Sequence, residues 1–162
     1  MVEVTVAHIG FDQRAHTPVV FLRERAGTRV LPIWIGPFEA QAIVAELKGM
    51  KPARPQTHDL LGQVLRGLGG DLKRVLISGV RENTYYAQLL IHRESGFVEV
   101  DARPSDSIAL ALRLDAPIFT AESLLDEPGA ESPDLPPGGL DAESLKQHLE
   151  KLDPQDFGRF SL

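Results

Sequence analysis

The chain states one structural phrase twice, and few folds accommodate that. From Val4 to Leu47 it reads as three strands followed by a helix opened by proline; from Lys73 to Leu114 the same order returns with matching punctuation. His8, Gly10, Thr17 and Gly27 correspond to Ile77, Gly79, Tyr86 and Gly96 at one fixed offset. After a two-residue deletion, Pro37, Glu39, Ala42 and Leu47 correspond to Pro104, Asp106, Ala109 and Leu114. The expected architecture is therefore α+β: a duplicated strand-strand-strand-helix repeat with mixed or antiparallel sheets. A two-fold recurrence disposes equivalent residues about one internal axis, and here the equivalents include acids at helix starts. That axis could bring Glu39 and Asp106 together or leave them on opposite edges.

Local signals supply the elements. Val2, Val4 and Val6 alternate with Glu3, Thr5 and Ala7, the period of a half-buried strand. The turn DQRAHT leads to PVVFLRER, and Ala26-Gly27 leads on to TRVLPIWIG, whose internal proline marks an edge or a bulge. Pro37 opens a helix to about Lys48 with a stripe of Ala40, Ile43, Val44 and Leu47. Thr57 is the expected cap of a second helix carrying Leu60, Leu61, Val64, Leu65 and Leu68 on one side. The strands KRVLISGV, TYYAQLLIH and GFVEVDA follow, then a helix from Pro104, a short strand PIF and a helical turn TAESLL, so each repeat is expected to hold three strands and two helices.

Charge separates body from tail. Residues 1–125 carry 14 bases and 14 acids, so the net charge of -6 arises wholly in residues 126–162, with 9 acids against 3 bases. The expected domains are a body of residues 1–125, with pseudo-repeats at about 2–68 and 73–125, a linker at 126–140, and a C-terminal helix and tail at 141–162. The linker assignment rests on four prolines, three glycines and four acids. Leu145, Leu149 and Leu152 give the tail helix a thin apolar stripe suited to docking on the body or on a partner. The open strand edges and this helix predict a homo-oligomer, most simply a dimer.

Composition narrows the function classes. No run of Lys or Arg exceeds two residues, which argues against coating duplex nucleic acid. Without cysteine there are no disulfides, thiolate metal sites or thiol catalysis. The N-terminus reads as a strand rather than a signal peptide, and no apolar stretch nears the roughly 20 residues of a membrane span. A cytoplasmic protein with no membrane partner is expected.

Two polar corners stand out. In VDARPSD, at a strand-to-helix junction, Asp101 and Asp106 could hold a divalent metal, with Ser105 as a further ligand and Arg103 as a phosphate clamp. The same residues also read as helix-start acids and a local ion pair. In RPQTHDL, His58 and Asp59 could serve as a base and its neighbour or as metal ligands, or simply begin a helix. His8 and His92 fall on strands as packed or half-buried side chains rather than ligands; His16 and His148 fall at solvated positions. No histidine pair has zinc spacing, GLGGDLK follows a helix as its end rather than cradling phosphate, and no GxSxG nucleophile motif occurs.

LPIWIGPFEAQAI, RPQTHDLL and VDARPSDSIALALRLDAPIF, in that order and spacing, resemble the bifunctional nuclease domain family over about residues 3–125. The ending KLDPQDFGRF is similar to the short helix and Asp-Phe tail of bacterial members. Ser107 stands where alanine is expected. The resemblance implies a nuclease that cleaves DNA, RNA or both. On that basis Asp101, Asp106, Asp59 and Glu39 become candidate metal or catalytic carboxylates for Mg²⁺ or Mn²⁺, His58 a proton shuttle, and Arg54, Arg103 and Ser105 the substrate-binding set. The competing class is a non-catalytic oligomeric module that binds a small anion or a protein partner.

Overall fold

Alternation in the strands decides which residues face inward, and the helices then cover that face. A computed structural model describes residues 1–126. The elements run β1 (Val2–Asp12), β2 (Thr17–Glu24), β3 (Val30–Trp34), α1 (Pro37–Leu47), α2 (Thr57–Gly67), β4 (Asp71–Arg81), β5 (Thr84–Arg93), β6 (Gly96–Ala102), α3 (Pro104–Leu114), β7 (Ile118–Thr120) and α4 (Glu122–Leu125). The expected linker and tail helix lie outside the described residues.

All seven strands form one mixed sheet in the order β3-β2-β1-β7-β4-β5-β6. The two antiparallel meanders meet at β7, which runs antiparallel to β1 and parallel to β4. A single sheet replaces the plural sheets expected, because the three-residue β7 supplies both central pairings. The element order places α1 after β1–β3 and α3 after β4–β6, which by itself does not establish the expected duplication. Beyond it the halves diverge: eleven-residue α2 follows the first, whereas β7 and the four-residue α4 follow the second. The edge strand β3 carries Pro32, as its proline predicted, and spans only five residues.

One face of the sheet holds the main core. Val4, Ile9, Val20, Leu22, Leu31 and Ile33 from the first meander join Leu72, Val75, Ile77, Ala87, Leu89 and Ile91 from the second, beneath Ala40 and Ile43 of α1 and Ile108, Leu110 and Ala111 of α3. The other face carries a small cluster of Val19, Phe21 and Val30, with the His8 ring stacked on Phe21 at 4.6 Å. Helix α3 is central, burying seven of its eleven residues. Helix α2 buries only Gly62, which lets it approach α3: a Cβ there would lie 3.1 Å from Leu114 Cδ2. The leucines of α2 thus face mainly outward. Among the described residues no helix is long and apolar enough to cross a membrane.

Candidate functional site

Three helices begin with an acid as their third residue: Glu39 in α1, Asp59 in α2 and Asp106 in α3. Such acids favour helix initiation, since the first turn presents unsatisfied N–H groups and the positive end of the dipole. In α2 the local chemistry differs from expectation. The cap is Gln56, with Thr57 already helical; the Gln56 side chain and Asp59 close a reciprocal capping box, in which the Gln56 N–H donates to Asp59 Oδ2 at 2.8 Å.

Arg103, the residue linking β6 to α3, connects two of the three acids. Its Nε donates to Asp106 Oδ2 at 2.7 Å and its Nη1 to Glu39 Oε1 at 3.0 Å. His58, on the first turn of α2, completes the group with Nε2 3.0 Å from Asp106 Oδ1. A carboxylate only accepts, so Nε2 carries the proton of this bond, and the Nδ1 of a neutral ring is left as a proton acceptor. Burial opposes ionisation of Asp106, but the hydrogen bonds from Arg103 and His58 outweigh it and hold the carboxyl below the usual carboxylate range. Asp106 in turn stabilises the Arg103 cation, raising its pKa. The Arg103 side chain nevertheless remains 66% exposed, so an anion can reach it.

Beside this group lies a second arginine of different character. Arg113, only 7% exposed, donates through Nε to Asp59 Oδ1 at 2.5 Å, through Nη1 to the Ala109 carbonyl at 2.9 Å and through Nη2 to the Ala42 carbonyl at 3.2 Å. It ties α1, α2 and α3 together next to His58. The Gln56 N–H first, and Arg113 second, hold Asp59 below the usual carboxylate range. Sequence reasoning passed over Arg113. The available signal was a lone cation on the otherwise apolar run SIALALRL, seven residues after Asp106 and so two turns along the same side of α3.

The structure therefore assembles Glu39, His58, Arg103 and Asp106, with Asp59 alongside. Asp101 does not join them. On β6 it pairs with Gln88, while its neighbours Val100 and Ala102 pair with the core residues Leu89 and Ala87. Strand alternation consequently turns Asp101 to the face away from the helices. Ser105 is buried at 7% exposure and offers a ligand little surface. Arg54 is exposed in the α1–α2 connection, four residues before His58.

The expected Mg²⁺ or Mn²⁺ donors do not fit together in this arrangement. Both Asp106 oxygens are engaged by His58 and Arg103, both Asp59 oxygens by Gln56 and Arg113, and Asp101 lies across the sheet. Among the described residues no group of three or more His, Asp and Glu is placed to hold a metal. In this arrangement the guanidiniums of Arg103 and Arg113 neutralise the clustered acids.

Comparison with known proteins agrees with the motifs. A family model for the bifunctional nuclease domain matches residues 20–133. An uncharacterized protein of Mycobacterium tuberculosis is 42% identical over 164 aligned positions, which cover 97% of this chain and 98% of that protein. A rice (Oryza sativa subsp. japonica) protein named bifunctional nuclease 2 is 29% identical over 126 residues, 74% of this chain and 38% of its own length. Arabidopsis thaliana bifunctional nuclease 1 is 26% identical over 110 residues, 66% of this chain and 34% of its own. The aligned region is thus little more than a third of these plant proteins. With the motifs in order and the family match covering well over half its length, the chain belongs to the bifunctional nuclease domain family.

Proposed function

We propose that this protein is a nuclease that hydrolyses phosphodiester bonds of DNA or RNA at the His58–Asp106–Arg103 group. The observation that carries the reading is the 3.0 Å bond from His58 to a carboxylate that is itself held ionised beside an exposed guanidinium. Family membership and the names of the plant relatives support the reaction class.

The chemistry follows from atoms on these side chains. Arg103, with the exposed Arg54 four residues before His58 as a second cation, binds the phosphate oxygens and offsets the charge that grows on them during attack. His58 Nδ1 accepts a proton from the attacking hydroxyl, either water or a ribose 2′-OH, as its oxygen bonds to phosphorus. The P–O bond to the leaving nucleoside breaks, and the imidazolium returns the proton to the departing oxygen. Asp106 holds the ring and stabilises the imidazolium while remaining ionised, the division of labour seen in carboxylate-histidine pairs. Glu39 orients Arg103 from the other side. These steps are carried by the side chains alone.

The reading is tested by incubating purified parent protein with single-stranded DNA, duplex DNA and RNA, with and without EDTA, beside His58→Ala, Asp106→Asn and Arg103→Met. Cleavage by the parent should survive EDTA. It should fall by about 10²-fold or more in His58→Ala, the usual range for loss of a proton-transfer group. Equal cleavage by parent and His58→Ala would remove this site from the reaction. An absence of any cleavage would favour the anion-binding module, a reading supported by the full pairing of the acids around Arg103.

A further inference from the structure

Helix α2 is amphipathic in the wrong direction for a helix seated only on this body. Leu60, Leu61, Val64 and Leu68 are between 44% and 73% exposed, while the residue it buries against α3 is a glycine. Beside α2 opens a cleft of about 260 Å³ whose lining mixes Met50, Pro52, Ala53 and Pro55 with Glu46, Lys51 and Asp59, the two acids both within ion-pair reach of Arg113. Four large exposed apolar side chains grouped along one helix mark a contact made with something else.

Charge identifies the occupant. Between Lys48 and Arg66 the chain exposes Lys48, Lys51, Arg54 and Arg66, and its single acid, Asp59, is taken by Arg113. A second copy of α2 would set these cations against their equivalents. The residues that follow the described body are acidic on balance: positions 127–162 hold 8 acids and 3 bases, a net charge of -5, of which the segment 141–152 contributes -1 through Asp141, Glu143 and Glu150 against Lys146 and Lys151. Within them Leu145, Leu149 and Leu152 recur at helical spacing. We infer that the segment 141–152 of this same chain docks on the exposed face of α2 and its adjoining cleft, leucines against leucines, with the acids around it facing the α1–α2 cations.

The connection is long enough. Asp126 is held at the β2–β3 turn by Arg29, with Oδ1 2.7 Å from Nη1. From there the fourteen residues 127–140 reach about 45–50 Å when extended, against a radius of gyration of about 14 Å for a body of this size. Because α2 also carries His58, the docked acidic segment borders the surface proposed above for phosphate. That consequence rests on the nuclease reading; the docking does not.

The absence of cysteine gives a clean test in the full chain. Val64→Cys is combined with Leu149→Cys and oxidised with glutathione disulfide; Glu99→Cys with Leu149→Cys serves as control, since Glu99 pairs with Leu90 and lies on the sheet face away from the helices. Docking predicts an intramolecular disulfide forming at least about tenfold faster in the first pair, because a seated segment exceeds the millimolar effective concentration of a free tether. Equal rates overturn the proposal, and so does a covalent dimer as the main product, which would make a second copy the occupant. Hydrogen exchange gives an independent readout without cysteines. Leu145→Ser with Leu149→Ser should speed exchange of the α2 amides by about tenfold if docking protects α2 by at least 1.4 kcal/mol. Unchanged exchange overturns the proposal.

Discussion

Arg113 and Arg103 each tie helices together through an acid, yet replacing them with methionine should have opposite consequences. Arg113 is almost wholly buried, and its three donors satisfy Asp59 and the carbonyls of Ala42 and Ala109. Removing one partner of a buried charge pair costs about 3–5 kcal/mol, because the surviving charge stays desolvated. Asp59 retains the Gln56 N–H and is 23% exposed, so the expected cost for Arg113→Met is nearer 2–4 kcal/mol. For a domain of this size that is roughly a 10 °C fall in melting temperature. Arg103 is 66% exposed, and its pairs with Asp106 and Glu39 are screened, so Arg103→Met should cost no more than about 1 kcal/mol. Differential scanning calorimetry of the two variants, beside the nuclease assay, separates the roles. Arg113→Met should melt early, whereas Arg103→Met should melt near the parent and lose cleavage. Similar melting of Arg113→Met and parent would refute the clamp, and a larger fall in Arg103→Met than in Arg113→Met would invert the assignment.

Two further outcomes follow from the same geometry. The folded-state pKa values of Asp59 and Asp106 are depressed, so their contribution to stability is fully present above the unfolded carboxyl range near pH 4 and is lost as pH falls through the lower folded values. Melting temperature measured from pH 7 to pH 2 should therefore fall less steeply below pH 4 in Asp59→Asn than in the parent; parallel curves would show that Asp59 contributes nothing to the acid limb. Gly62→Leu should lower both stability and cleavage, because a side chain meets Leu114 and pushes α2, with His58, away from α3. A variant that keeps the parent's melting point and activity would show that α2 is not held by that close approach.

Much of the architecture was legible in short stretches. The alternation of Val2, Val4 and Val6, the proline-led starts at Pro37 and Pro104, and the edge position implied by Pro32 all concern forces acting within a few residues, and each element appeared near its expected bounds. The grouping of Glu39 with Arg103 and Asp106 was only half legible. The expected recurrence pointed to two acids at helix starts, but not to a guanidinium standing between them. His58 meeting Asp106, and Arg113 meeting Asp59, join residues 48 and 54 positions apart, and no local signal reports such pairings.

What the sequence determined by itself was the inventory: the strand and helix periods, the acids at third helical positions and the family motifs. The tertiary structure decided which of those groups share solvent. Asp101 and Asp106 are five residues apart yet lie on different sides of the sheet, because each step along β6 reverses the side-chain direction and Asp101 falls on the reverse of the core residues. Leu60 and Leu61 of α2 look like core in one dimension and face outward in three, because α3 already fills the space above the sheet and α2 meets it through Gly62, with Leu65 alone of its leucines packing on the core.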